Sequence, residues 1–170
     1  CKTDPSAGHK GISLIVAEEG TPGFIRGKKL EKIGQPAGDT SELIFEDARV
    51  PAGNLLGEEN KGFYYLMEKL QQERLMCAIQ AIAAAEESLR ITVEYVKQRE
   101  AFGKPISKLQ NTQFKIAEMA TEVAIGRSFI DDLIVRHMDG EDVVTETSMA
   151  KWWVTDMAKR LVANCMQLHG

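Results

Sequence analysis

Apolar side chains recur every three or four positions from Leu75 through Ala78, Ile79, Ile82, Ala85, Leu89, Val93 and Val96. That spacing predicts one long amphipathic helix with a single core-facing stripe. The same period returns twice more. Leu109, Ile116, Met119, Val123, Ile130, Leu133 and Ile134 predict a second long helix over residues 106–138, ended by Asp139 and Gly140. Met149, Trp152, Trp153, Met157, Leu161, Cys165 and Leu168 predict a third that starts near Asp142 or Thr145. A short amphipathic piece, F-Y-Y-L-M-E-K-L, precedes the first helix. Between the first and second helices, R-E-A-F-G-K-P-I-S-K-L-Q places Gly103 and Pro105 where a helix must stop, and so frames a tight turn. Long helices joined by short connections pack antiparallel, as in an up-down bundle.

Ahead of these helices the pattern is that of short strands. Residues 11–18 form a compact apolar run that suits a buried strand, residues 25–33 alternate weakly, and residues 41–50 alternate well through Leu43, Phe45 and Ala48. Pro51, Gly53, Gly57 and Gly62 then mark a connection into helix, which puts a domain boundary near residue 58. Three or four strands cannot close a barrel, and an open sheet of that size needs its edges covered. The fold class is therefore α+β, with a β part over residues 1–58 and a helical part over residues 59–170.

Composition narrows the function classes. With 170 residues, 44% hydrophobic and 27% charged, the chain is a globular one of ordinary core size. A net charge of -4 without any basic stripe argues against nucleic acid as a partner. No apolar run is long enough to span a membrane, and the first residues, C-K-T-D-P-S-A-G-H-K-G, hold no signal-peptide core. The expectation is a bacterial cytoplasm or a mitochondrial matrix. Cys1, Cys77 and Cys165 are too widely spaced for a zinc site, and His9, His137 and His169 stand without i, i+4 or acidic companions, so no metal is expected.

Taken alone, the polar residues at the two ends of the first helix have structural explanations. Glu73 and Arg74 just ahead of the apolar stripe fit a first-turn carboxylate facing the helix dipole and a solvated neighbour, while Lys97 and Arg99 fit cations in a last turn. Phe102, Ile106 and Leu109 fit packing around the turn, and Trp152 and Trp153 fit the core. Gly20, Gly23 and Gly27 do not form a nucleotide-binding glycine loop. One length matters in any reading: at about 1.5 Å per residue a straight helix puts Glu73 and Arg99 about 39 Å apart. A single small-molecule site can hardly use both.

Longer motifs add chemistry. D-T-S-E-L-I-F-E-D-A-R-V-P-A-G-N-L-L-G-E-E-N-K-G-F, then Q-R-E-A-F-G-K-P-I-S-K-L-Q, then M-Q-L-H-G, occur in that order. Across essentially its whole length the chain resembles the acyl-CoA dehydrogenase flavoproteins, in particular the branch with the long-chain and isovaleryl enzymes. The resemblance implies part of an antiparallel middle β domain over residues 1–58. It also implies three long helices of an incomplete up-down four-helix bundle over residues 59–170, in a homodimer or homotetramer. It further implies FAD as cofactor, an acyl-CoA thioester as substrate and electron-transfer flavoprotein as electron acceptor. Carried over by position, it assigns Arg99 and Phe102 to the flavin's diphosphate region, Gln110 to neighbouring contacts, and Gln167, Leu168, His169 and Gly170 to the start of a segment near the adenine end. Tyr64, Gln71, Gln72 and Arg74 match positions that line the acyl-CoA site. Glu73, in Q-E-R, matches the catalytic carboxylate of the long-chain and isovaleryl branch.

That chemistry needs a carboxylate. The α-proton of a thioester is weakly acidic, so a base must be held against it while a β-hydrogen leaves as hydride to the flavin. A closed apolar pocket makes a carboxylate a better base. An oxidase-type relative, or a helical assembly module without turnover, would share the same bundle. Flavin colour in the purified protein separates the module from the enzyme.

Overall fold

The computed structural model describes all of residues 1–170, and its internal contacts group them into two units, Cys1–Glu68 and Lys69–Gly170. In the first unit the carboxylate of Asp4 accepts hydrogen bonds from the backbone N–H and the hydroxyl of Ser6 at 2.9 and 2.6 Å and caps a 3-10 stretch, Pro5–Gly11. Strand β1, Leu14–Ile15, is shorter than the apolar run 11–18. Strands β2, Phe24–Lys29, and β3, Ser41–Phe45, pair antiparallel with Phe24 opposite Phe45, and these two rings stack at 4.7 Å. The alternation over residues 41–50 does not continue as strand past Phe45, because the chain turns at Asp47, whose φ is 49°. Strand β4, Leu55–Leu56, pairs antiparallel with β1. Buried Ser13 ties this unit together: its hydroxyl accepts from the Asn60 N–H at 2.7 Å and lies 2.7 Å from the Thr3 hydroxyl. Ile25, Leu43, Ile44 and Phe45 remain exposed on the β2–β3 pair.

Helix α1, Gly62–Gln98, is continuous over 37 residues. The short amphipathic piece and the long helix are thus one element, since no glycine or proline interrupts the chain between Phe63 and Gln98. A two-stranded hairpin follows, β5 at Glu100–Ala101 and β6 at Lys104–Pro105, and then a 3-10 turn, Ile106–Lys108. Helix α2, Gln110–Met138, and helix α3, Val144–His169, complete the second unit. Cross-links set the directions. Arg127 on α2 pairs with Glu86 on α1, while on α3 Arg160 reaches Glu122 at 3.1 Å and the Cys165 sulfur lies 3.8 Å from that of Met119. Arg74 meets Ser148 at one end, and Thr92 meets His169 at the other. Helix α2 therefore runs antiparallel to α1 and α3, which run parallel to each other, as an up-down bundle requires.

The core between these helices holds Ile82, Met119, Ile130, Leu133, Val154, Met157 and Leu161, all essentially without exposure. Helices α1 and α2 approach closely at Gly126, where an added Cβ would lie 2.9 Å from Ile82 Cδ1. Two residues of the predicted α3 stripe face outward instead. Trp153 packs on the core, but its neighbour Trp152 is 73% exposed and Met149 is exposed too, because adjacent helical residues are turned by about 100° and cannot both face inward.

Candidate active site and cofactor segments

Glu73 stands eleven residues after Gly62, about three turns into α1. The helix dipole acts within the first turn, so a first-turn role for this carboxylate is ruled out. It is exposed and makes no hydrogen bond or ion pair. Its neighbours divide by the helical period. Gln72 is exposed, whereas Gln71 and Arg74 are half-buried on the side of Leu75. Arg74 Nη1 donates to Ser148 Oγ at 3.3 Å, and that hydroxyl donates to the Val144 carbonyl at 2.8 Å. The amide Nε2 of Gln71 is buried without an acceptor in the protein, which leaves a donor uncommitted on the inner side of the helix, two residues and about 200° round from Glu73. The hydroxyl of fully buried Thr147, next to Ser148 on α3, is the other unpartnered buried side-chain atom. Nothing in the sequence marks it, since its exposure depends on the bundle packing.

Tyr64 belongs to the first unit. Its half-exposed ring lies 5.6 Å from the Lys61 ammonium, in cation–π range, and 6.0 Å from the Phe63 ring.

The residues expected around a flavin gather at the far end of α1. The Arg99 N–H continues the helix by donating to the Tyr95 carbonyl at 2.8 Å, and the Arg99 carbonyl accepts from Ile106 N–H at 2.8 Å, closing the hairpin. Phe102 and Gly103 form its two-residue turn with φ of 56° and 75°, the left-handed pair that such a hairpin requires. For phenylalanine this backbone costs about 1–2 kcal/mol, and its ring is 94% exposed. Neither the turn nor the core explains an aromatic at this position, and strain of this kind gathers at binding sites. Arg99 and Gln110, the first residue of α2, are exposed.

At the end of α3, Gln167, His169 and Gly170 are exposed and Leu168 packs against the core. His169 is fixed from three sides. Its ring stacks on Tyr95 with centroids 4.1 Å apart and an 18° tilt, its Nε2 lies 3.3 Å from Thr92 Oγ1, and its carbonyl accepts from the Tyr95 hydroxyl at 3.1 Å. The fold thus brings residues 167–170 beside the last turns of α1 that lead into Arg99; the helical rise puts Arg99 about 39 Å from Glu73, and Thr92 and Tyr95, which hold His169, about 30 Å from it. Thr92 and Tyr95 escape a sequence reading because only the parallel packing of α1 and α3 gives them a partner. An exposed arginine beside a strained aromatic turn suits a diphosphate: the guanidinium's planar fork offers donors that no protein acceptor uses.

No helix is long and apolar enough to cross a membrane, and no group of three or more His, Cys, Asp or Glu side chains is placed to hold a metal ion.

Residues 60–170 match the family described as Acyl-CoA dehydrogenase, C-terminal domain. Over 160 residues, 94% of the chain, the sequence is 48% identical to the mitochondrial long-chain specific acyl-CoA dehydrogenase of Sus scrofa, of which it covers 37%. A solved acyl-CoA dehydrogenase from Geobacillus kaustophilus superposes on the whole chain with a TM-score of 0.98 at 64% identity, 45% of that chain being covered. A chain in a structure described as the electron transferring flavoprotein of Acidaminococcus fermentans superposes with a TM-score of 0.94 at 40% identity, again over all of this chain and 45% of that one. The chain thus spans less than half the length of these relatives.

Proposed function

The chain belongs to the acyl-CoA dehydrogenase family, and we propose that the whole protein carries out FAD-dependent α,β-dehydrogenation of acyl-CoA thioesters. Fatty or branched-chain acyl groups are the substrates, as in β-oxidation. The observation that carries this reading is Glu73: an exposed carboxylate in mid-helix, with no partner of its own and no work to do for the helix dipole.

Each residue has a definite task in the reaction. A carboxylate oxygen of Glu73 takes the α-proton as the Cα–H bond breaks. Gln71 lines the acyl-CoA site, and Arg74, braced on Ser148, fixes the helix face that presents Glu73. Gln72 and Tyr64 contact the CoA portion. FAD, when bound, supplies the two-electron acceptor for the β-hydride. Arg99 and Phe102 hold its diphosphate region, Gln110 adds a neighbouring contact, and residues 167–170 meet its adenine end.

The separation of Glu73 from Arg99 makes a homodimer, or a tetramer built from dimers, part of the proposal, because one subunit cannot bring both to one reacting centre. Electron-transfer flavoprotein is the proposed acceptor of the electrons, in a bacterial cytoplasm or a mitochondrial matrix. Adding saturated acyl-CoA to the purified full-length protein without oxygen tests the reading. Flavin absorbance should bleach with formation of the 2-enoyl thioester, and a colourless protein that takes up no FAD would instead be the non-catalytic bundle.

A further inference from the structure

The geometry points to Thr92 and Tyr95 as positioning residues for the adenosine half of the cofactor, acting through His169; this rests on the proposed function. The Thr92 hydroxyl has one hydrogen to give. Thr92 is buried, and its Oγ1 donates that hydrogen to the Ser88 carbonyl at 2.8 Å. Toward His169 Nε2, 3.3 Å away, it can only accept, so in the neutral ring the proton sits on Nε2. Nδ1 is then an acceptor with no hydrogen. The Tyr95 ring beneath and the Tyr95 hydroxyl on the His169 carbonyl hold the plane and the backbone. A neutral imidazole that can only accept on its free edge does not favour phosphate. It favours an N–H or O–H donor, such as the amino group or ribose hydroxyls of adenosine. Arg99, one turn beyond Tyr95, provides the cation for the adjoining diphosphate. The two cofactor segments are thereby set relative to each other by Tyr95, which touches both.

The full-length protein tests this in two ways. Nitrogen-15 spectra of labelled histidine should show His169, assigned by loss of its signal in His169→Gln, protonated on Nε2 and bare on Nδ1. Thr92→Val keeps shape and burial but removes the acceptor. It should mix the tautomers and weaken FAD binding, followed by flavin fluorescence, by roughly three- to tenfold, while Thr92→Ser should restore both. Protonation on Nδ1 in the parent, or a folded Thr92→Val that binds FAD like the parent, overturns the assignment. A parent protein that takes up no flavin would sink the proposed function and this inference together, whereas a flavin-loaded parent with unchanged Thr92→Val sinks the inference alone.

Discussion

If Glu73 and Arg99 serve different active sites, lesions at the two positions should complement each other between subunits. The rise of an α-helix puts them about 39 Å apart along α1, so a site built on Glu73 of one subunit takes its Arg99 from the other. Full-length Glu73→Gln and Arg99→Ala proteins are each expected to be nearly inactive. Removing a general base costs about 100- to 10,000-fold, and removing the diphosphate cation empties the protein of flavin. When equal amounts are dissociated and reassembled with FAD, about half of the dimers are mixed. In a mixed dimer one site carries both lesions and the other carries neither. One good site in half of the dimers amounts to about a quarter of the parent activity, since the two sites of a symmetric dimer are equivalent. The assay is acyl-CoA-dependent dye reduction, with subunit exchange followed by mass spectrometry of differently labelled partners. Proven exchange with activity no higher than that of the separate variants would refute the shared site and require α1 to bend or the flavin to lie elsewhere.

Three other outcomes follow from the geometry. Phe102→Asn, which suits a left-handed φ, should leave the bundle as stable as the parent or up to about 1 kcal/mol more stable, yet weaken FAD binding; equal FAD affinity would show that the exposed ring is idle. Ile82→Ala, in the centre of the core, should cost about 2–5 kcal/mol in urea unfolding, and a loss below about 1 kcal/mol would contradict the packing described. Glu86 has its carboxyl held below the usual value of 4.5, first by the hydrogen bond from Arg127. Its contribution is therefore present above that value and lost as pH falls through the lower folded one. Because the pair is about a third exposed, Glu86→Gln should cost at most about 1 kcal/mol at pH 7. That difference from the parent should shrink in acid, and a difference that grew in acid would reverse the sign.

What the sequence makes legible is whatever repeats along one element. The stripe from Leu75 to Val96 and the stop at Gly103 and Pro105 are periodic or local signals, and the helices and hairpin follow from them. The continuity of α1 back to Gly62 corrects a reading of two separate pieces, and it alone removes the dipole explanation for Glu73. Period is a weaker guide on a short strand. Leu43 and Phe45 alternate as a half-buried strand should, yet both stay exposed, since burial there depends on what lies against the sheet rather than on the strand itself. Trp152 and Trp153 show the same limit, because a pattern of apolar residues does not choose which of two neighbours turns inward. The candidate site divides along the same line. Glu73, Arg99 and Phe102 stand in motifs, whereas the pairing of His169 with Thr92 and Tyr95 exists only once α1 and α3 lie side by side.

The central claim is that Glu73 removes the α-proton, and the most direct measurement is the rate at which saturated acyl-CoA bleaches the flavin of full-length Glu73→Gln in single turnover without oxygen. Glutamine keeps size and polarity but has no basic oxygen. The rate should fall about 100- to 10,000-fold, with FAD content and thermal stability close to the parent because Glu73 is exposed and unpaired. Bleaching at near the parent rate would remove Glu73 from the reaction and contradict the proposed mechanism.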